Sequence, residues 1–134
     1  MFVHCCHCTW CQRETGAAFA LNALIESDRV IVTRGKPETI QTPTLSGKSQ
    51  KIVRCPSCHI ALWSHYAGPG DAVSFVRVGT LDESGRLPPD IQIFTNDKQP
   101  WVELSSKIPV VAEYYDKIDY WPENSLARRA KVGW

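Results

Sequence analysis

Five of the six cysteines lie in two short clusters whose spacing suits a metal ion. The first cluster contains Cys6, Cys8 and Cys11, and the second contains Cys55 and Cys58. Two thiols separated by two residues on a tight turn can present both sulfurs to one tetrahedral ion, and Zn²⁺ readily accepts such thiolates. The spacing therefore predicts that these five cysteines are zinc ligands.

The first cluster could be a reactive centre. Cys6, Cys8 and Cys11 could supply three sulfurs to one ion and leave a fourth position open, as catalytic zinc sites do. An external thiol that binds there loses its proton and becomes a nucleophile, for which a small aldehyde is a natural electrophile. Their product is a hemithioacetal. The alternative is that zinc only holds loops together, as it commonly does in small domains.

The second cluster, CPSC at residues 55–58, is typical of a two-ligand structural turn. The spacing also allows one closed site made from both clusters, with Cys8, Cys11, Cys55 and Cys58 as its ligands. A third possibility is a redox function for the second pair, which would require an accessible sulfur and a lowered thiolate pKa.

Two histidines lie next to cysteines and are further candidates. His7 and His59 could complete a coordination sphere, carry a proton near neutral pH, or simply lie close to the metal. Cys5 and His4 are possible substitutes for a missing ligand. Sequence alone does not choose among these alternatives.

Length and charge narrow the class of protein. A chain of 134 residues predicts a single domain over residues 1–134. Its formal net charge is +1, and its basic residues are scattered, so we do not expect it to bind nucleic acid. A signal peptide and a long apolar run are not recognisable, so we expect a cytoplasmic protein without a membrane partner. In that reducing compartment, clustered cysteines favour metal binding or catalysis over disulfides.

The pattern of apolar residues predicts a mainly β protein. Short runs of β-branched and aromatic residues recur between glycine, proline, serine and aspartate breakers. The expected strands are 19–24, 30–34, 51–55, 61–66, 74–78 and 91–95. Residues 110–118 are the one expected helix, and residues from about 120 to 134 are expected to form a polar tail with thinner packing.

Several motifs in this order resemble the glutathione-dependent formaldehyde-activating enzyme family. They are CHCTWCQRETGAAF at 6–19, RCPSC at 54–58, GTLD at 79–82, PDIQI at 89–93 and KQPW at 98–101. The resemblance covers residues 6–101. It implies an Mss4-like fold of coiled antiparallel sheets with zinc-bearing knuckles.

The resemblance also implies a function and roles for the cysteines. Cys6, Cys8 and Cys11 would hold a zinc ion facing a glutathione site, and Cys55 and Cys58 would supply half of a structural zinc site. The implied activity is that of a carbon–sulfur lyase similar to S-(hydroxymethyl)glutathione synthase, with glutathione or a related thiol and a small aldehyde such as formaldehyde as partners. The alternative is a non-catalytic, zinc-stapled binding module of the same fold.

One departure from the family pattern affects the expected metal count. Family members normally carry a further Cys-x-Cys motif at the N-terminus that completes the structural site, and we expect this sequence to lack it. Either the true start lies upstream, or the second ion has other ligands or is absent, so one or two zinc ions are expected. A homodimer that covers a sheet edge left open by missing strands is a further hypothesis.

Overall fold

A computed structural model of the chain, which describes residues 1–44 and 46–134, consists of one seven-stranded mixed sheet and two α-helices. The strands are β1 (Phe2–Cys6), β2 (Ala20–Glu26), β3 (Glu38–Thr42), β4 (Gln50–Arg54), β5 (Ala61–Tyr66), β6 (Val73–Arg77) and β7 (Ile91–Ile93). The helices are α1 (Thr9–Thr15) and α2 (Glu123–Lys131). The prediction of a mainly β protein is confirmed, and the architecture is consistent with the Mss4-like fold.

The strand order across the sheet is β3-β4-β5-β6-β2-β1-β7. Neighbouring strands are antiparallel except for β1 and β7, which are parallel, so the prediction of purely antiparallel sheets is wrong at this edge. A parallel pair needs a long connection, and nearly the whole sheet lies between β1 and β7 along the chain. Asp90 secures this pair, because its carboxylate accepts from Val3 N–H at 2.7 Å.

Five of the six predicted strands correspond to observed strands, with ends that differ by up to two residues. Residues 30–34 do not form a strand, although they are rich in β-branched residues. They follow a 3₁₀ turn at Ser27–Arg29 and pair with no strand of the described sheet, and Ile31 is accordingly 78% exposed. The prediction missed β1, β3 and both helices.

One face of the sheet carries the core and the cysteine cluster. Side chains directly opposite each other on paired strands point to the same face, and every second residue along a strand shares that face. Cys6 pairs with Ala20, and Asn22 pairs with Arg77. The same face carries the main apolar cluster, which includes Phe2, Leu24, Val73, Phe75, Ile91 and Ile93.

Residues 110–118 are not the predicted helix. The backbone of this segment instead runs beside β7, where Gln92 N–H donates to Pro109 and Val111 N–H donates to Gln92, both at 2.9 Å. An edge strand offers unpaired backbone groups, and these contacts satisfy them. The opposite edge is β3, whose first four residues are exposed. A homodimer that uses this edge remains a prediction.

The segment described as a polar tail contains α2 and contributes to the core. Trp121 is 5% exposed and stacks on Phe2 with ring centroids 5.2 Å apart. Ser125 donates to the backbone oxygen of Met1 at 2.7 Å, and Arg128 pairs with Glu26 at the end of β2. The expectation of thin packing here is therefore wrong, because one aromatic side chain and two polar contacts attach the segment to β1 and β2.

Neither helix of the described chain is both long and apolar enough to cross a membrane. A single-domain organisation over residues 1–134 remains a prediction.

Candidate metal centre

The structure brings the first three predicted ligands together. The sulfurs of Cys6, Cys8 and Cys11 all lie within 4.8 Å of one another. Cys6 is the last residue of β1, Cys8 caps the N-terminus of α1, and Cys11 lies in the first turn of that helix. The cluster therefore depends on a sharp change from strand to helix within two residues.

Local contacts explain why the chain turns into a helix here. The sulfur of Cys8 accepts the backbone N–H of Cys11 at 3.3 Å and so satisfies one of the free donors at the helix start. At the other end Gly16 adopts a left-handed conformation with φ of 64°, which glycine does without a Cβ penalty. Its N–H donates to Gln12 at 2.8 Å.

Burial differs among the three cysteines. Cys6 and Cys11 are each 5% exposed and belong to the main apolar cluster, whereas Cys8 is only half-buried. The two buried sulfurs are held rigidly by the core. Access from solvent is therefore on the Cys8 side.

The three thiols differ widely in pKa. Hydrogen bonds from the thiols of Cys11 and Cys6 lower the pKa of Cys8 to about 3. Hydrogen bonding to Cys11 and Cys8, together with burial, raises the pKa of Cys6. For Cys11, the hydrogen bond with Cys6 lowers the pKa, but the hydrogen bond with Cys8, burial and the charge of Cys8 outweigh it and raise the pKa to about 12. One thiolate thus forms readily, and a metal ion would have to displace the remaining protons.

The donor set fits zinc. Three thiol sulfurs within a few ångströms are soft ligands, which favour zinc over oxygen-seeking cations such as Mg²⁺ or Ca²⁺. Across residues 1–44 and 46–134, this cluster is the one group of at least three cysteine, histidine or carboxylate ligands close enough to share an ion. It therefore offers three protein ligands rather than four.

Gln12 braces the loop that carries the cluster, and cysteine spacing gave no indication of this role. Its side-chain amide donates to the backbone oxygens of His7 at 2.6 Å and Asp97 at 2.8 Å. Gln99 in turn donates to the carbonyl oxygen of the Gln12 side chain at 2.6 Å. This network ties the cluster to the segment after β7. Its only sequence signal is that both glutamines fall within the family-like motifs at 6–19 and 98–101.

The neighbouring candidates lie outside the cluster. His7 is buried, and its Nε2 lies 3.5 Å from the sulfur of Cys5. His4 is also buried, with its Nε2 2.6 Å from the hydroxyl of Tyr115. His59 is exposed on the loop after β4. None of these side chains joins the three sulfurs as a fourth ligand.

The second cysteine pair lies on the loop between β4 and β5. Cys55 is half-buried and Cys58 is exposed, and neither belongs to the first cluster, so a merged site of both pairs is not formed in this structure. Backbone N–H groups of Cys58 and Ser57 lower the pKa of Cys55. Such N–H contacts to sulfur are expected of a metal-binding knuckle as well as of a reactive thiol. Metal binding by this pair remains a prediction.

An ion pair connects the two cysteine loops. Arg54, at the end of β4, pairs with Glu14 of α1 and also donates to the backbone oxygen of His59 at 3.0 Å. The Arg54 and Glu14 side chains are 21% and 12% exposed. Because the pair is mostly shielded from water, it is a firmer link than an exposed ion pair.

A cleft of about 410 Å³ opens beside the cluster. It lies between the end of α1, the start of β2, the β4–β5 connection and the turn after β6. Its lining includes Glu14, Thr15, Phe19, Ala20, Leu21, Arg54, Ile60, Ala61, Arg77, Gly79 and Thr80. Ala20 is the direct strand partner of Cys6, so the cleft and the cluster are adjacent.

A known protein family matches most of the chain. The model of the family described as glutathione-dependent formaldehyde-activating enzyme matches residues 1–97 of the chain. The expectation that an N-terminal Cys-x-Cys segment is missing is not borne out, because the N-terminal cysteine cluster is present and Cys6 and Cys8 themselves have this spacing.

Proposed function

The chain belongs to the glutathione-dependent formaldehyde-activating enzyme family, and we propose that it is a zinc-dependent carbon–sulfur lyase acting on a small aldehyde and glutathione or a related thiol. In the addition direction the thiol sulfur bonds to the carbonyl carbon, and the π electrons of the carbonyl move to its oxygen. The thiol proton is released and the oxygen gains one. With formaldehyde and glutathione the product is S-(hydroxymethyl)glutathione, and the lyase direction breaks the same carbon–sulfur bond.

The cluster of three sulfurs is the observation that supports this proposal. Cys6, Cys8 and Cys11 would hold the zinc ion as three protein ligands. When bound, zinc supplies positive charge that favours the deprotonated form of an incoming thiol and stabilises charge on a carbonyl oxygen. A second zinc ion at Cys55 and Cys58 would be structural.

The protein's own contribution is rigid placement of the ligands and controlled access. Cys6 and Cys11 are held in the core by β1 and α1, so their positions change little when a substrate arrives. Cys8 faces the accessible side, where a soluble thiol can approach. The Gln12 network keeps the intervening loop in place.

Metal analysis of matched cysteine variants tests the proposal. Cys11→Ser removes one of the three sulfurs, so we expect it to lose one equivalent of zinc and thiol-dependent lyase activity. Cys5→Ser is the matched control, because Cys5 is as buried as Cys11 but lies outside the cluster. Full zinc content and activity in Cys11→Ser would remove the cluster from the mechanism.

A non-catalytic, zinc-stapled binding module is the second candidate. It is favoured by the position of Cys6 and Cys11 within the core, where a metal would stabilise the fold. X-ray absorption spectroscopy of the zinc-loaded protein distinguishes the enzyme from the binding module. A change in sulfur coordination at the first site on addition of glutathione supports the enzyme, whereas an unchanged four-ligand site supports the module.

A further inference from the structure

Arg77, the last residue of β6, is a buried cation without a carboxylate partner among the described residues. It is 7% exposed, and among the described residues it forms no ion pair with a carboxylate. Its guanidinium donates instead to two neutral groups, the side-chain oxygen of Asn22 and the hydroxyl of Ser64, the latter at 3.0 Å. Its Nε is buried and has no hydrogen-bond partner. Its positive charge acts on the cysteine cluster, where it lowers the pKa of Cys11 against the larger effects that raise it. Burying a cation without a carboxylate partner is costly, so Arg77 is positioned to bind a further anion.

The position of Arg77 places that anion next to the cysteine cluster. Arg77 pairs with Asn22 on β2, and two residues earlier on the same face of β2 Ala20 pairs with Cys6. Arg77 also lines the cleft that Ala20 borders. A molecule with its sulfur at the cluster could therefore extend along the cleft towards Arg77.

The rest of the lining indicates what kind of molecule fits. The other arginine of the cleft, Arg54, is neutralised by Glu14, so Arg77 is the arginine of the cleft that has no carboxylate partner among the described residues. Phe19 and Ile60 line the cleft and are 37% and 53% exposed, which provides apolar surface for an aliphatic or peptide body. The hydroxyl of Thr80 donates to the backbone oxygen of Arg77 at 2.7 Å and holds that end of the cleft.

We infer that this cleft is a carboxylate-binding site, in which Arg77 binds a carboxylate of the thiol substrate while the thiol occupies the cysteine cluster. The binding of the substrate thiol at the cysteine cluster rests on the proposed function. The inference adds the residue that recognises the substrate carboxylate. It explains why a carboxylated thiol such as glutathione would be preferred over a neutral one. Arg77 is then a specificity-determining residue.

Calorimetric titration of the zinc-loaded protein with three probes tests the inference. The probes are glutathione, its diethyl ester, in which both carboxylates are blocked, and S-methylglutathione, in which the thiol is blocked. A charge-assisted hydrogen bond predicts that glutathione binds roughly 10- to 100-fold more tightly than the diester. Equal affinities for these two would overturn the inference and leave the proposed function standing.

Variants of Arg77 test the assignment. Arg77→Gln should weaken glutathione binding to about the level of the diester and leave diester binding unchanged, while Arg77→Lys should recover part of the difference. Arg29→Gln is the control, because it removes an equal charge from a half-exposed side chain beyond the far end of β2. A purely structural role for Arg77 would weaken both probes alike, and a preference retained in Arg77→Gln would overturn the inference.

A second pair of variants leaves Arg77 in place and so remains informative if Arg77→Gln does not fold. Ile60 lines the cleft and is half-exposed, so Ile60→Glu introduces a carboxylate there and Ile60→Gln is its neutral control. Ile60→Glu should weaken glutathione but not the diester, and equal effects on both probes would count against the site. If glutathione and S-methylglutathione bind equally while the diester binds poorly, the proposed thiol site fails and the carboxylate site stands.

Discussion

The ion pair between Glu26 and Arg128 should measure how firmly the C-terminal helix is attached to the sheet. Glu26 ends β2 and Arg128 lies in α2. The guanidinium donates through both Nε and Nη2, at 2.7 and 2.5 Å, to the two carboxylate oxygens. The side chains are 12% and 32% exposed, so the contact is better shielded than a typical surface pair. We therefore predict that Glu26→Gln destabilises the protein measurably.

The magnitude follows from the acidity of Glu26. The guanidinium of Arg128 lowers the pKa of Glu26 from an ordinary 4.5 to about 2. At about 1.4 kcal/mol per pKa unit this shift sets an upper value of about 3 kcal/mol. Because nearly a third of Arg128 is exposed, solvent screening reduces the expected loss to about 1–2 kcal/mol. For a chain of this size that corresponds to a fall in melting temperature of about 4–7 °C.

The sign of the pH dependence provides an independent check. A carboxylate with a lowered folded-state pKa stabilises the protein fully above its unfolded value of 4.5 and loses this contribution as the pH falls through about 2. The difference in melting temperature between wild type and Glu26→Gln should therefore be full at pH 7 and shrink between pH 4.5 and pH 2. Circular dichroism melts at several pH values measure it.

The control is a carboxylate in an exposed ion pair. Glu83 pairs with Arg86 at 2.6 Å, but their side chains are 68% and 78% exposed, so Glu83→Gln should change the melting temperature by about 1–2 °C at most. Equal effects of the two substitutions would show that shielding does not strengthen the Glu26 pair. A difference that stays constant down to pH 2 would refute the assignment to its charge.

Two further predictions concern the cysteine loops. Gln12→Ala removes the side-chain amide that donates to the backbone oxygens of His7 and Asp97. The zinc affinity of the first cluster, measured in competition with a chromophoric chelator, should therefore fall about 10- to 100-fold. An unchanged zinc affinity would show that these hydrogen bonds are not needed to hold the loop in place. Cys58→Ser should lower the melting temperature of the zinc-loaded protein but not of the chelator-treated protein, because the second pair would stabilise the fold only through its metal. Identical melting curves for wild type and Cys58→Ser in both conditions would indicate that this pair binds no structural ion.

Local sequence signals predicted those parts of the fold that local chemistry determines. Residues 61–66 contain two aromatic residues and end before a loop rich in glycine and proline, which is typical of a strand, and the observed β5 has those bounds. The three-cysteine cluster was predicted from spacing alone, because the turn between strand and helix spans only a few residues. The run at 30–34 shows the limit of this reasoning, since β propensity without a partner strand leaves the segment exposed.

The missed elements depend on distant contacts. All five residues of β1 are buried, so its sequence lacks the alternation that marks a half-buried strand. Helix α1 has only seven residues, too few to be stable without tertiary contacts, and its cysteine spacing is equally typical of a metal-binding turn. Residues 109–111 run beside β7 because β7 is an edge strand, which no local pattern reveals.

The role inferred for Arg77 likewise required the strand register. Sequence shows an arginine at the end of a predicted strand, where exposure to solvent is the usual outcome. The pairing of Asn22 with Arg77 and of Ala20 with Cys6 puts the cation and the cluster on the same face of the sheet. A shift of one residue between β2 and β6 would turn Arg77 to the opposite face and separate its charge from the sulfurs. The register that pairs Leu24 with Phe75 in the core therefore also fixes the position of Arg77, on which the proposed carboxylate site depends.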